Sequence, residues 1–354
     1  MPALPRAPRE PRTPRRPRAA YLSLTAAAVL AAGTACSSPT TDHPASAADA
    51  SSAPSATGSP TYPLTIDDCG FDTVVDGPPQ RVVTIKSSTT ETMLALGLGD
   101  RIVGSAFLDG PLPDDLAADA PEAVTHPMAE QVPGAEAVLG LEPDLVYAGW
   151  ESTLTADGAG DRQTLSDLGV ATYVAPSACK EDGYQPDPLT FDDVFAEITQ
   201  VGQIFDVPDA AAAEVADERA TLEGTTPDDR GLTALWYSSG TDTPYVGAGI
   251  GAPQMIMDAA GLTNVAADVH DTWTSLGWES VVADDPDVIV LVDAAWNTAA
   301  DKKKSLAANP ATAKLSAVEN ERYLVVPFAA TEAGVRNADA VADLDDQLAD
   351  LDVG

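Results

Sequence analysis

Positive charge is scarce in this chain, and histidine and cysteine are scarcer still. Of 354 residues, 19 are Lys or Arg against 55 Asp or Glu, with 3 His and 3 Cys. The resulting net charge of −36 repels nucleic acid and anionic headgroups, so neither is expected as a partner. The three histidines, His43, His126 and His270, form no HExxH or similar metal-ligand spacing. No GxSxG elbow occurs, and GAGIGA (247–252) is out of register for a dinucleotide loop. A catalytic set and a bound cofactor are therefore not expected. Long hydrophobic runs are missing too. Residues 19–32 come nearest, and they fall short of the ~20 residues that a stable span requires.

What the N-terminus does contain reads as a processing signal. Six arginines in residues 1–18 precede the short Ala/Leu-rich run, and GTACSS follows. GTACSS resembles the lipobox of bacterial lipoproteins, with Gly33 where an aliphatic residue is usual. The expectation is a signal peptide over 1–35, lipidation of Cys36, and a flexible Ser/Thr/Ala/Pro/Gly tether over 36–61. The other reading is an ordinary signal cut near Ala35, with Cys36 left as a thiol. Beyond the leader, 13 basic residues face 54 acidic ones, a net −41. Two further cysteines, Cys69 and Cys179, are expected to pair as a disulfide in an oxidising compartment.

From residue 62 the pattern is strand, turn, helix, repeated. RVVTI (81–85), PDLVYAG (143–149), GLTALW (231–236), PDVIVLV (286–292) and RYLVVP (322–327) read as strands separated by helices. Strands apolar at every position imply parallel sheets covered on both faces. Residues 189–224 carry helix-period apolar residues with almost no strand signal, broken by Pro208. EAVLGLEPDLVYAGW echoes ESVVADDPDVIVLVDAAW, and Glu136 and Glu279 each stand eight residues before the Asp of the Pro-Asp pair. The expectation is an α/β fold of two pseudo-symmetric lobes, 62–188 and 225–354, joined by the helical segment 189–224.

Several stretches carry a family resemblance: RVVTIKSSTTETMLALGLGDRIVG, EAVLGLEPDLV, AGLTNV, WESVVADDPDVIVLV and NPATAKLSAVENERYLVVP. Together they resemble substrate-binding proteins of ABC importers, in the class that carries siderophores, haem and cobalamin. The resemblance implies a class III periplasmic-binding-protein fold, two mainly parallel α/β lobes joined by one long helix. It also implies partners, an ABC permease with its ATPase, and one docking acid on each lobe. Glu136 matches the first. Met255 stands at the second position, with Asp258 nearby. GLTALWYSSGTDTPYVGAGIGAPQMIMDAAG and PFAATEAGVRNADAVADL resemble the subgroup proposed to bind a precursor of the deazaflavin coenzyme F-420.

In open α/β sheets, ligands sit beyond the carboxyl ends of the strands. Those exits carry Lys86, Ser87, Ser88 and Thr89, then Trp150 and Glu151, then Tyr237, Ser238 and Ser239, then Trp296, with Arg336 following the last strand. Trp273 and Trp278 precede the second Pro-Asp strand. Only Trp236, inside a strand, reads as core. The other four tryptophans suit a stacking surface for a planar ligand. Lys86 precedes a helix start that suits an anion; its other reading is a surface lysine paired with Glu91 or Asp109. The fork of Arg336 suits a carboxylate or phosphate. DKKK (301–304) reads as a solvated helix start.

The function expected is capture of a planar, partly anionic small molecule by a monomeric lipoprotein on the outer face of the cytoplasmic membrane, for delivery to an ABC importer. A deazaflavin coenzyme precursor is favoured. A ferric siderophore, haem or cobalamin is the alternative ligand. From other classes, a secreted enzyme using Glu151 or Glu332, or a cell-surface protein, stay open.

Overall fold

Strands with no polar face need cover on both sides, and the alternation of strands and helices supplies it. The computed structural model describes residues 59–353, all within one compact unit. The signal peptide 1–35, the lipidation at Cys36 and the tether as far as residue 58 lie outside the described residues. Among the described residues, no helix is long and apolar enough to cross a membrane.

The first lobe opens with an antiparallel hairpin, β1 (Leu64–Asp68) and β2 (Phe71–Val75). Then come β3 (Val82–Ile85), α1 (Ser87–Ala95), β4 (Ile102–Ala106), α2 (Asp114–Ala117) and α3 (Glu122–Thr125). The lobe closes with α4 (Ala135–Leu139), β5 (Leu145–Ala148), α5 (Arg162–Asp167) and β6 (Ala171–Val174). Its main sheet is fully parallel, in the order β4-β3-β5-β6. The connection consists of α6 (Phe191–Ile204) and α7 (Pro208–Glu223).

The second lobe holds β7 (Thr233–Ser239), β8 (Tyr245–Gly247), α8 (Ala252–Ala259), β9 (Thr263–Asn264), β10 (Trp273–Ser275) and α9 (Trp278–Asp284). It continues with β11 (Val288–Asp293), α10 (Ala299–Ala308), α11 (Ser316–Glu319), β12 (Tyr323–Pro327) and α12 (Asn337–Ala349). The sheet order is β10-β8-β7-β11-β12, with β9 beside β7. Strands β7, β9, β11 and β12 are parallel, while β8 and β10 run antiparallel.

Side chains alternate between two cores along each central strand. Leu145 and Tyr147 of β5 join Val288, Val290 and Val292 of β11 in one apolar cluster that also takes in Ile198 of α6. Val146 and Ala148 face an outer cluster of the first lobe, and Ile289 and Leu291 an outer cluster of the second.

The repeated Pro-Asp has a shared physical cause. Asp144 accepts from the N–H groups of Gln80 and Arg81 at 2.7 and 2.9 Å, fastening the start of β5 to the start of β3. Asp287 accepts from the N–H and hydroxyl of Thr233 at 2.9 and 2.8 Å, fastening β11 to β7 in the same way.

The connecting segment is helical over the expected range, but the single long helix implied by the resemblance is divided here. α6 begins on a capping box of Thr190 and Asp193. The chain leaves it at Phe205, Asp206 takes φ 55°, and Pro208 opens α7, where proline fits the first turn. α6 lies on the first lobe, where Tyr147 donates to Glu197 and Tyr173 to Gln200, both at 2.7 Å. α7 packs on α12 of the second lobe.

Cys69 and Cys179 form the expected disulfide, with Cα atoms 5.1 Å apart. Cys69 and Gly70 are the two-residue turn of the first hairpin, at φ 54° and 76°, as a type I′ turn requires. The Oδ2 of neighbouring Asp68 accepts from buried Arg162 at 2.5 Å and from the Val174 N–H at 2.9 Å.

Candidate binding cleft

The exit of β3 is filled from within. Lys86 follows Ile85 at φ 90°, a backbone that costs a residue with a Cβ about 1–3 kcal/mol. Its side chain is fully buried, and its ammonium pairs with Asp109. Ser87 locks that partner, donating its N–H to Oδ2 at 3.2 Å and accepting the Asp109 N–H on its hydroxyl at 2.8 Å. Three rings surround the ammonium, with centroids at 3.9 Å (Trp150), 4.6 Å (Phe107) and 5.1 Å (Phe328). The first two belong to the first lobe, the third to the second. Gly149 permits this packing, since a Cβ there would lie 2.8 Å from the Lys86 Cβ.

Lys86 is thus neither a surface lysine nor an open anion contact. It pairs with Asp109 at the buried seam between the lobes. Ser87, Ser88 and Thr89 are buried with it. Arg336 is engaged in the same way. Its Nε and Nη2 each donate to a Glu91 oxygen at 2.5 Å, and Nη2 also reaches the Pro111 carbonyl at 2.8 Å. Burial pushes the Glu91 carboxyl up, and Arg336 pulls it back.

Beside this seam a cavity of about 200 Å³ lies between the lobes. Trp150, Ser152 and Lys180 line it from the first lobe, and Tyr245, Trp273 and Glu332 from the second. Tyr245 and Trp273 come from neighbouring antiparallel strands and stack at 5.8 Å and 13°. Trp150 Nε1 donates to Glu332 Oε2 at 3.0 Å across the cleft. Burial pushes the Glu332 carboxyl up, while the charge of Lys86 and the Trp150 N–H pull it down. The cavity therefore offers aromatic walls, one half-buried carboxyl and one exposed lysine.

Of the residues named from sequence, Trp150, Trp273 and Glu332 line the cavity. Glu151 stands next to it, but its Oε2 accepts the Lys180 N–H at 2.5 Å. Trp296 lies outside the cavity lining, 63% exposed and edge-on to Phe328 at 5.9 Å. Tyr237 and Trp278 turn to the outer core of the second lobe, where their rings meet at 5.4 Å. The cause is that β7 runs on to Ser239, which sets Tyr237 opposite to Trp236 by strand alternation. Ser238 is buried and Ser239 half-buried, and neither lines the cavity. Trp236 is fully buried, as expected of core.

Within DKKK, Lys302 is buried, not solvated. Its ammonium donates to the Val292 and Asn297 carbonyls at 2.6 and 2.5 Å, holding the loop that carries Trp296. Desolvation lowers it to about 8. Lys180 and Tyr245 were not found from sequence. Lys180 sits in a loop without periodicity, marked only by its adjacency to Cys179. Tyr245 lies on a three-residue strand too short to read.

Asp258, beside the second docking position that the resemblance implies, is exposed. Met255, aligned by resemblance with a second-lobe acid, is buried, because the apolar face of α8 packs inward. The exposed acid in the place equivalent to Glu136 of α4 is Glu279 of α9, each on the helix before a Pro-Asp turn. The Asp68, Cys69 and Cys179 group has metal-like proximity, but its sulfurs are bonded to each other and its carboxylate is held by Arg162.

Two α/β lobes bridged by helices around a narrow aromatic cleft form the class III periplasmic-binding-protein fold. The chain belongs to the periplasmic binding protein family, whose family model matches residues 82–330. It is 31% identical over 246 residues to a cobalamin-binding protein of Halobacterium salinarum, covering 65% of this chain and 58% of that relative. The chain thus spans under two thirds of that relative's length. It is 25% identical to an uncharacterized ABC transporter substrate-binding lipoprotein of Bacillus subtilis, covering 81% of this chain and 86% of that one. Among solved structures it resembles an ABC-type Fe3+-hydroxamate transport system from Saccharomonospora viridis, with a TM-score of 0.66 and 28% identity. That match covers 81% of this chain and 99% of the other.

Proposed function

We propose that this protein is an extracytoplasmic solute-binding protein of an ABC importer, tethered through a lipid at Cys36, that holds a planar, partly anionic small molecule between its lobes. The observation that carries this reading is the cavity where Trp150 and Glu332 meet from opposite lobes, walled by Tyr245 and Trp273. Flat ring systems stack on such surfaces, and one carboxyl and one lysine suffice to orient them. The cobalamin-binding and ABC-transporter relatives supply the transport context. Glu136 and Glu279, exposed at matching places on the two lobes, are the acids that would meet a permease.

A deazaflavin coenzyme precursor is the ligand favoured, on the resemblance of the stretches at 231–261 and 327–344. At about 200 Å³ the cavity is below the ~300–1,000 Å³ of common ligand sites, so a whole ligand requires the lobes to open. Cobalamin is the second reading, favoured by the Halobacterium relative; it needs the lobes to spread further. Titration of the purified protein with a deazaflavin, cyanocobalamin, haem and a ferric hydroxamate, followed by tryptophan fluorescence, tests both. Saturable quenching by one of them is expected. Absence of quenching by all four rejects the binding function.

A further inference from the structure

The two cations that the sequence offers to an anionic ligand are both taken, Lys86 by Asp109 and Arg336 by Glu91. Lys180 is different. It is the one lysine or arginine lining the cavity, it is exposed, and among the described residues it forms no ion pair. Its backbone is nevertheless held in place. Cys179 ties it to Cys69, and its N–H donates to Glu151 Oε2 at 2.5 Å. Glu151 directly follows Trp150, so one short segment sets both the aromatic wall and the lysine. Glu181 and Asp182 line an adjacent groove with Asp187 and His270, to which Lys180 also contributes. Glu332 faces the same cavity from the other lobe, with Oε2 on the Trp150 N–H.

We infer that Lys180 is a specificity-determining residue that binds the anionic group of the ligand, while Glu332 accepts a hydrogen bond from a donor edge of its ring. The cleft would then select amphoteric flat molecules, acidic at one end and bearing N–H or O–H at the other. This inference rests on the proposed binding function.

Matched probes separate the two. The pairs are 5-deazariboflavin with its 5′-phosphate, and haem dimethyl ester with haem, titrated by tryptophan fluorescence at low and high salt. The wild-type protein is expected to prefer the charged member of a bound pair by about tenfold at low salt, less at high salt. Lys180→Gln abolishes that preference, and Lys180→Arg keeps it. Lys180 is exposed, so these variants fold. Glu332→Gln retains the charge preference and weakens both members alike. A preference unchanged in Lys180→Gln, or no preference in the wild type, overturns the role of Lys180 while leaving the binding function intact. Failure of these probes together with cyanocobalamin and the ferric hydroxamate overturns the binding function and this inference with it.

Discussion

Trp150 and Glu332 meet across the seam of the two lobes, the indole Nε1 donating to Oε2 at 3.0 Å. The face of the same indole lies 3.9 Å from the Lys86 ammonium. One side chain thus joins the buried ionic seam to the wall of the cavity. A ligand entering there either keeps the Trp150–Glu332 hydrogen bond or replaces it with one of its own.

Trp150→Phe keeps a ring over Lys86 while removing the donor and part of the indole. Glu332 is half-buried at the cavity, where water can replace the lost donor, so the cost is about 0.5–1.5 kcal/mol. Trp150→Ala removes the wall as well and costs about 3–5 kcal/mol. Urea unfolding of the two variants at neutral pH measures the difference. Equal stabilities would show that the hydrogen bond and the ring do not act separately.

Arg336 and Glu91 form another cross-lobe contact, and both side chains are largely buried. Breaking one half of such a pair strands a charge. Arg336→Met is therefore expected to destabilise by about 3–5 kcal/mol. Adding Glu91→Gln to that variant recovers part of the loss, since a neutral amide tolerates the site better. A double mutant no more stable than Arg336→Met would argue against a stranded charge as the cause.

These two contacts show where the sequence was legible and where it was not. Apolar strands and the Pro-Asp repeat follow from local rules, since each leaves a mark within a few residues, and the disulfide follows from the count of two cysteines beyond the leader. The division of the connecting helix was signalled by Pro208. The engagement of Lys86 and Arg336 was harder to see, because Asp109 and Glu91 are brought to them by tertiary packing. Tyr237 turns to the outer core because its strand extends three residues beyond the apolar run GLTALW. Lys180 went unseen because its position depends on a disulfide 110 residues across the sequence and on Glu151, neither of which forms a local motif.

The disulfide supports a further expectation. It closes a loop with a sequence separation of 110, for which the chain-entropy model gives a stabilisation of about 4–5 kcal/mol. A Cys69→Ser, Cys179→Ser variant should unfold at correspondingly lower urea concentration. Because Ser177, Ala178 and Lys180 line the cavity beside Cys179, hydrogen exchange over residues 176–185 should rise more than over β5. Unchanged exchange there would separate the disulfide from the cleft.

Glu218 of α7 sets a dependence on pH. It is buried, its Oε2 makes no hydrogen bond, and burial together with Glu214 and Asp339 pushes its carboxyl from 4.5 to about 8. Glu197 of α6 is pushed to about 7, chiefly by burial, with the Tyr147 hydroxyl opposing. In both, the folded chain holds a proton that the unfolded chain has released. Proton uptake on folding makes stability fall as pH rises. The loss begins near the unfolded value of 4.5 and is complete above about 8. Glu218→Gln removes the ionisation and should match the wild type near pH 4. At pH 8.5 it should be the more stable protein by about 1–3 kcal/mol, the margin expected when a buried unpaired charge is removed. Urea midpoints at pH 4.5, 6, 7 and 8.5 test the point. Parallel pH profiles for the variant and the wild type would mean that Glu218 ionises normally, and that the contact between α7 and α12 opens enough to hydrate it.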